Sequence, residues 1–118
     1  MEIRHRKNPK PISDPLQCFL CLEEYDLYPE DGLAWSEGKR VGEVCPDCLL
    51  QSEHAIEMRL LEQAEQAEQM LDSGVVEVLY KEGDAISPRD IREGLQDMIS
   101  TRRKYVAEGV RIVCEEEN

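Results

Sequence analysis

The sequence predicts a small α+β protein, with a cysteine-rich first half and a largely helical second half. Two stretches, about 48–72 and 88–107, carry apolar residues at helical spacing, and short β-rich runs lie beside them. The 118 residues include one Phe, one Trp and four Tyr, so large core residues are few. The chain also holds two Cys-x-x-Cys pairs separated by 23 residues, namely Cys18/Cys21 and Cys45/Cys48. Metal held by these cysteines is expected to supply part of the folding free energy.

Residues 1–17 are expected to form a flexible basic arm in front of a cysteine unit that spans residues 18–72. Prolines at positions 9, 11 and 15 disfavour regular structure there. Four cations outnumber two carboxylates in the arm, whereas the rest of the chain is strongly acidic. These cations are Arg4, Arg6, Lys7 and Lys10.

A β-hairpin is predicted between the two cysteine pairs. Residues 33–36 have the composition of a short strand, residues 37–40 that of a turn, and residues 41–44 that of a return strand. The hairpin would deliver Cys45 next to the first pair of cysteines.

A long amphipathic helix is predicted over residues 48–72, and Gly74 is expected to end it. Its apolar stripe could pack against the second predicted helix of the same chain. It could also form a seam between two copies, which leaves a homodimer through the 48–72 helix open. The stripe consists of Leu49, Ile56, Leu60, Ala64, Ala67, Met70 and Leu71.

Residues 73–118 are expected to form a β-α-β unit with an acidic tail. Its predicted strands, 75–80 and 110–114, flank the second long helix and could pair in parallel, with that helix as the crossover. Antiparallel pairing is the alternative. Ser87 is predicted to cap the helix at its start, and Gly109 to end it.

Two further features complete this unit. Pro88 suits the first helical position because it needs no backbone N–H donor there. Cys114 is expected to be a free strand residue, and residues 115–117 are the acidic tail.

Four thiols in two pairs can close one tetrahedral zinc site. Each Cys-x-x-Cys turn supplies two ligands, and Cys48 would stand at a helix N-terminus, where the helix dipole favours an anionic ligand. A redox dithiol and another metal, including an iron–sulfur cluster, are the alternatives. The sequence favours one Zn²⁺ per chain, held by Cys18, Cys21, Cys45 and Cys48.

The order of these parts resembles that of treble-clef zinc fingers over about residues 18–60: a Cys-x-x-Cys turn, a β-hairpin, then a second turn that opens a helix. The resemblance implies that the zinc on these four cysteines is structural. It does not specify a function, since treble clefs serve DNA, RNA, protein and lipid binding and some nuclease sites. The predicted fold is therefore a small four-cysteine zinc finger followed by a strand-helix-strand unit.

No set of catalytic residues stands out in the sequence. Catalytic zinc keeps one position open to water, whereas four cysteines fill the coordination shell. His5 and His54 are the only histidines, and the chain has no phosphate-binding loop, dinucleotide-binding glycine pattern or Ser/His/Asp set. We therefore expect no enzymatic activity.

The net charge of −12 bears on the choice of partner, because it disfavours phosphate backbones and favours basic protein surfaces. Arg102 is unusual in falling within the apolar face of the second helix, where Glu53 is a candidate partner. Six cations are candidate partner-binding residues, namely Arg102, Arg103 and Lys104 of that helix and Arg4, Arg6 and Lys7 of the basic arm.

Together these features predict a small acidic zinc-binding protein that acts as a protein–protein interaction module: an adaptor, an assembly subunit or a regulator. One alternative is a nucleic-acid-binding zinc finger that uses the basic arm. Another is an acidic inhibitor that mimics nucleic acid. The polar N-terminus and the absence of a long apolar run predict a cytoplasmic protein without membrane association.

Overall fold

The computed structural model describes residues 1–7, 16–25, 30–81, 83 and 85–113. Within these residues the chain has a mixed α+β fold. Its elements in chain order are β1 (Glu2–Lys7), β2 (Leu16–Gln17), β3 (Glu24–Tyr25), β4 (Glu30–Ser36), β5 (Lys39–Val44), α1 (Pro46–Leu49), α2 (Glu53–Ser73), α3 (Val75–Leu79), α4 (Pro88–Glu108) and β6 (Arg111–Val113).

Four strands form the main sheet, in the order β5-β4-β1-β6. Strand β4 is antiparallel to both β5 and β1, whereas β6 is parallel to β1. Ile3 of β1 lies opposite Ala34 on one side and Ile112 on the other, and its side chain is fully buried. Strands β2 and β3 form a separate antiparallel pair beside the cysteines.

The expectation of a flexible basic arm over residues 1–17 is wrong for its first part, because Glu2–Lys7 is a strand inside the main sheet. This strand is difficult to recognise from the sequence, because Ile3 is its one large aliphatic residue and most of the others are charged. Residues 8–15, which include the prolines and Lys10, lie outside the described residues.

A buried carboxylate explains how a charged strand is tolerated in the sheet. Asp31 of β4 is fully buried and accepts two hydrogen bonds from the Arg6 guanidinium, from Nε and from Nη2, each at 2.8 Å. The Tyr25 hydroxyl donates to the same carboxylate. Burial raises the pKa of Tyr25, which keeps the hydroxyl a neutral donor. Asp31 therefore joins β1, β3 and β4 through side-chain hydrogen bonds, whereas the backbone pairs only β1 with β4 among these strands.

The predicted hairpin strands lie within β4 and β5, and both strands are longer than expected. The turn consists of Glu37 and Gly38, which both have positive φ angles, 54° and 78°. The register shifts between Ala34 and Trp35, because Val41 of β5 is an extra residue between their partners Gly42 and Arg40.

The single helix predicted over residues 48–72 is divided into α1 and α2. Ser52 restarts the helix, because its side chain accepts a hydrogen bond from the backbone N–H of Ala55 at 3.0 Å. Gly74 ends α2 in the left-handed conformation with φ at 77°, as predicted.

Helices α2 and α4 pack against each other within the chain. Their buried residues include Ile56, Leu60, Ala64 and Ala67 of α2 and Tyr105 of α4. The predicted boundaries of α4 are confirmed: the side chain of Ser87 caps its start and Gly109 follows its end. No helix among the described residues has the length and apolar character that crossing a membrane requires.

The strand predicted over residues 75–80 is instead helix α3, so the predicted pairing of this segment with residues 110–114 is wrong. Val76 is buried when the segment is helical, and tertiary packing overrides the β-propensity of its valines. The other predicted strand does form, as β6, but its parallel partner is β1. Cys114 and the acidic tail lie outside the described residues.

Two carboxylates of α2 cover the open edge of β6. Glu57 accepts a hydrogen bond from the N–H of Val110 at 3.0 Å, and Glu53 accepts one from the N–H of Ile112 at 2.8 Å. Glu53 is therefore not the partner of Arg102, contrary to the sequence-based expectation. Glu53 and Glu57 can reach alternate N–H groups of the strand because four residues along a helix and two residues along a strand both span about 6 Å.

Candidate metal centre

The four predicted ligands come together at one point of the fold. Cys18 and Cys21 follow β2, whereas Cys45 and Cys48 lie at the start of α1. Their sulfur atoms all lie within 4.8 Å of one another. Cys18, Cys45 and Cys48 are buried and Cys21 is half-buried, so the four-cysteine cluster is largely shielded from solvent.

The first cysteine turn is closed by backbone hydrogen bonds. The N–H of Cys18 donates to the carbonyl of Glu23 at 3.0 Å, and the N–H of Leu22 donates to the carbonyl of Cys18 at 2.8 Å. Leu22 adopts a φ of 66°, which is unusual for a residue with a branched side chain. The N–H of Phe19 donates to the carbonyl of Glu43 at 2.9 Å, which attaches the turn to β5.

A glycine on β5 permits this close approach. A Cβ atom on Gly42 would lie 2.8 Å from Cγ of Phe19, well inside van der Waals contact. The aromatic ring therefore packs directly on the strand backbone. Gly42 therefore allows the first cysteine turn to lie this close to the sheet.

The second cysteine turn is also the start of a helix. Cys45 is the N-cap of α1, and the N–H of Cys48 points at its sulfur with 3.4 Å between the two atoms. Pro46 follows at a first-turn position that needs no donor. Burial raises the pKa of Cys45 overall, and it outweighs the N–H of Cys48, which acts to lower that pKa.

The cluster fits a zinc ion in both geometry and chemistry. A Zn–S distance of about 2.3 Å places tetrahedral sulfurs about 3.8 Å apart. The sulfurs of Cys21 and Cys45 already stand 3.8 Å apart, and a small contraction brings the others to that spacing. Four thiolates in a tetrahedral set suit zinc, and they leave no coordination position open to water.

Burial acts on the acidity of these thiols. It raises the pKa of Cys45 and of Cys48, and the charge of a neighbouring Cys18 thiolate raises that of Cys48 further. Burial also raises the pKa of Cys18, but backbone N–H groups of Cys21, Cys45 and Leu20 outweigh it and lower the pKa overall. Four thiolates at neutral pH therefore need a cation among them.

Gln63 of α2 is a supporting residue that the sequence analysis missed. Its amide nitrogen donates to the carbonyls of Phe19 and Leu20, both at 2.8 Å, and so holds the first cysteine turn. Its amide oxygen accepts a hydrogen bond from Nε of Arg102, also at 2.8 Å. Its position could have indicated a buried polar residue, because Gln63 lies in the apolar stripe, beside Ala64 and three residues after Leu60.

Arg102 is half-buried between α2 and the first cysteine turn. Its guanidinium carbon lies 5.6 Å from the centre of the Phe19 ring, which is a cation–π distance. Burial lowers the pKa of Arg102 from its ordinary value. The cation predicted in the apolar face therefore contacts an amide and an aromatic ring.

The other predicted partner-binding cations are spread over the surface. Arg103 pairs with Glu68 and Lys104 pairs with Glu37, each at 2.7 Å. Lys7 is exposed at the end of β1. Arg6 contacts Asp31, as described above, and Arg4 contacts both Glu2, at 2.8 Å, and the Trp35 ring.

A polar cavity of about 370 Å³ opens beside the cluster, and three of its cysteines contribute to the lining. Its lining consists of Cys21, Cys45 and Cys48 together with Glu23, Glu24, Tyr25, Pro46, Asp47, Gln51 and Arg59.

The fold and the site define an α+β protein with a four-cysteine cluster that is compatible with zinc. Comparisons with known protein families, with curated proteins and with solved structures found no match to this chain. A function must therefore be argued from the geometry of the chain itself.

Proposed function

We propose that this chain is a small acidic protein-interaction module whose fold is held by one structural zinc ion. The observation that carries the proposal is the hydrogen-bonded link from the cysteine turn through Gln63 to Arg102. Through this link, zinc at the cluster would fix the position of the α2–α4 pair. The metal would thus support a helical surface rather than chemistry of its own.

The order of the parts around the cluster supports a treble-clef arrangement. A Cys-x-x-Cys turn precedes the antiparallel strands β4 and β5, and the second turn opens α1 directly after β5. The zinc of such an arrangement is structural, and four protein ligands leave no site for a reacting water. We therefore assign the chain a non-enzymatic role, in a reducing compartment such as the cytoplasm, where thiolates persist.

Charge supports a protein partner over a nucleic acid. The net charge is −12, and Arg6, Arg103 and Lys104 each face a carboxylate of the chain. A nucleic-acid surface needs cations that are free to face phosphates. We expect the partner to present a basic surface.

A nuclease-treated pull-down tests this function. The native chain is compared with a Cys45→Ser/Cys48→Ser double variant and with a Cys114→Ser control, which keeps all four ligands. We expect a protein partner that survives nuclease, remains with the control and disappears with the double variant. A native chain that holds zinc but captures only nucleic acid would refute the proposal.

A further inference from the structure

Helix α2 exposes two apolar side chains on the face opposite its buried stripe. Met58 is 47% exposed and Leu61 is 39% exposed. They share one shallow cavity of about 260 Å³ with charged neighbours, and these are Glu62, Glu65, Glu68 and Arg103. We call the α2 part of this surface, formed by Met58, Leu61, Glu62, Glu65 and Glu68, the outer face of α2.

The charge of the outer face is not balanced within the described residues. Glu68 has an ion-pair partner in Arg103, at 2.7 Å. Glu62 and Glu65 form no ion pair with any residue that the structure describes. Two carboxylates beside two exposed apolar side chains are thus available to a cationic partner.

The spacing of these residues matches the face of a partner helix. Position 58 is followed by 61 and 62, position 65 comes three or four residues after these, and position 68 three residues later, so all five lie along one side of α2. They span about 15 Å, or close to three helical turns. A partner helix with apolar side chains at one end of a stripe and cations beside it complements this pattern.

We propose that the outer face of α2 binds a basic amphipathic helix of a protein partner. The inference rests on the proposed role as an interaction module and names the surface and the chemistry of the partner. A second copy of the chain is a poor occupant, because it would place its own carboxylates opposite Glu62 and Glu65 and carries the same charge of −12.

A defined peptide tests the surface with the full zinc-loaded chain. The probe is a fluorescent Leu/Lys helical peptide of about 18 residues with leucines on one side, long enough to form a helix on binding. A Leu/Glu peptide of the same pattern is the control. We expect anisotropy to show binding of the Leu/Lys peptide alone, with an affinity that falls as salt rises.

Paired variants locate the binding site. Met58→Ser/Leu61→Ser removes the apolar contacts, and Glu62→Gln/Glu65→Gln removes the charges. We expect each to weaken binding about tenfold. The matched controls are Val78→Ser/Leu79→Ser, at side chains that are 72% and 62% exposed elsewhere, and Glu23→Gln/Glu24→Gln, beside the cysteines. We expect both controls to bind like the native chain.

Four outcomes would overturn this inference. An equal loss of peptide affinity in the Glu23→Gln/Glu24→Gln control would show that the peptide is attracted to acidic residues in general. Unchanged binding in Met58→Ser/Leu61→Ser, with its zinc content and melting intact, would place the site elsewhere. A dimer in sedimentation that Met58→Ser/Leu61→Ser abolishes would make a second copy the occupant. A native partner that this variant still captures would refute the surface yet keep the interaction role.

Discussion

Gln63 accepts a hydrogen bond from Arg102 across the α2–α4 interface, with 2.8 Å between its Oε1 and the Nε of the arginine. The nitrogen of the same amide holds two carbonyls of the first cysteine turn. One buried side chain therefore satisfies three polar groups from two separate parts of the fold. A zinc ion bound at the four-cysteine cluster would be coupled to the helical pair through this amide.

Substitution Gln63→Leu is expected to destabilise the protein by about 2–4 kcal/mol, because it leaves two carbonyls and a half-buried guanidinium without their partner. The exposed Gln66→Leu change is the control and should have little effect. Chemical denaturation measures both. The double variant Gln63→Leu/Arg102→Met should lose less unfolding free energy than the two single variants lose in sum. Strict additivity would argue against energetic coupling between Gln63 and Arg102.

Substitution Gly42→Ala is expected to destabilise the protein by about 1–3 kcal/mol, since the added methyl group meets the Phe19 ring. The substitution should also weaken zinc binding, because Phe19 lies between the ligands Cys18 and Cys21 in the sequence. Gly94→Ala is the matched control. A methyl group meets nothing within 4 Å there, and alanine favours the helix by up to about 1 kcal/mol. We expect the melting temperature to fall in Gly42→Ala and to rise in Gly94→Ala. Equal shifts in the two variants would contradict this account.

The double variant Glu53→Ala/Glu57→Ala should expose the edge of β6. The N–H groups of Val110 and Ile112 lose their acceptors, so hydrogen exchange at these two amides should speed up. Glu62→Ala/Glu65→Ala, on the same helix but away from the strand, is the control. Unchanged protection of both amides would show that the carboxylates do not hold the strand.

The pH profile of stability should depend on the metal. Without zinc, the raised pKa values of Cys45 and Cys48 favour the folded protonated state, so stability should fall as pH rises past about 8.5. The lowered pKa of Cys18 has the opposite effect on stability, but it concerns one thiol, whereas two thiols have raised pKa values. With zinc, protons compete for the thiolates, so stability should fall towards acid pH. Melting temperatures from pH 5 to 10, with and without chelator, measure both trends, and identical profiles would count against metal binding.

Local signals predicted much of this structure. The Cys-x-x-Cys pairs identified the four residues that cluster, and Ser87, Gly74 and Gly109 marked helix boundaries through capping chemistry that acts within a few residues. These signals work because their partners are close in sequence. The expected protein-interaction role has no comparable local signal and stays a proposal.

The errors have a common physical cause, which is dependence on distant partners. Strand β1 is stabilised by Asp31, 25 residues from Arg6, and that pairing cannot be inferred from the strand alone. Residues 75–79 are rich in valine, yet they are helical where Val76 is buried. Gln63 lies in the apolar stripe of α2, but the two carbonyls that it binds are 43 and 44 residues away in the sequence.

Native mass spectrometry of the zinc-loaded chain tests the central claim most directly. The native protein is compared with single Cys→Ser changes at positions 18, 21, 45 and 48, and with Cys114→Ser. We predict one zinc ion in the native chain and in Cys114→Ser, and loss of that ion together with a lower melting temperature in each of the four others. Zinc retained at full stoichiometry in the four ligand variants would contradict the account.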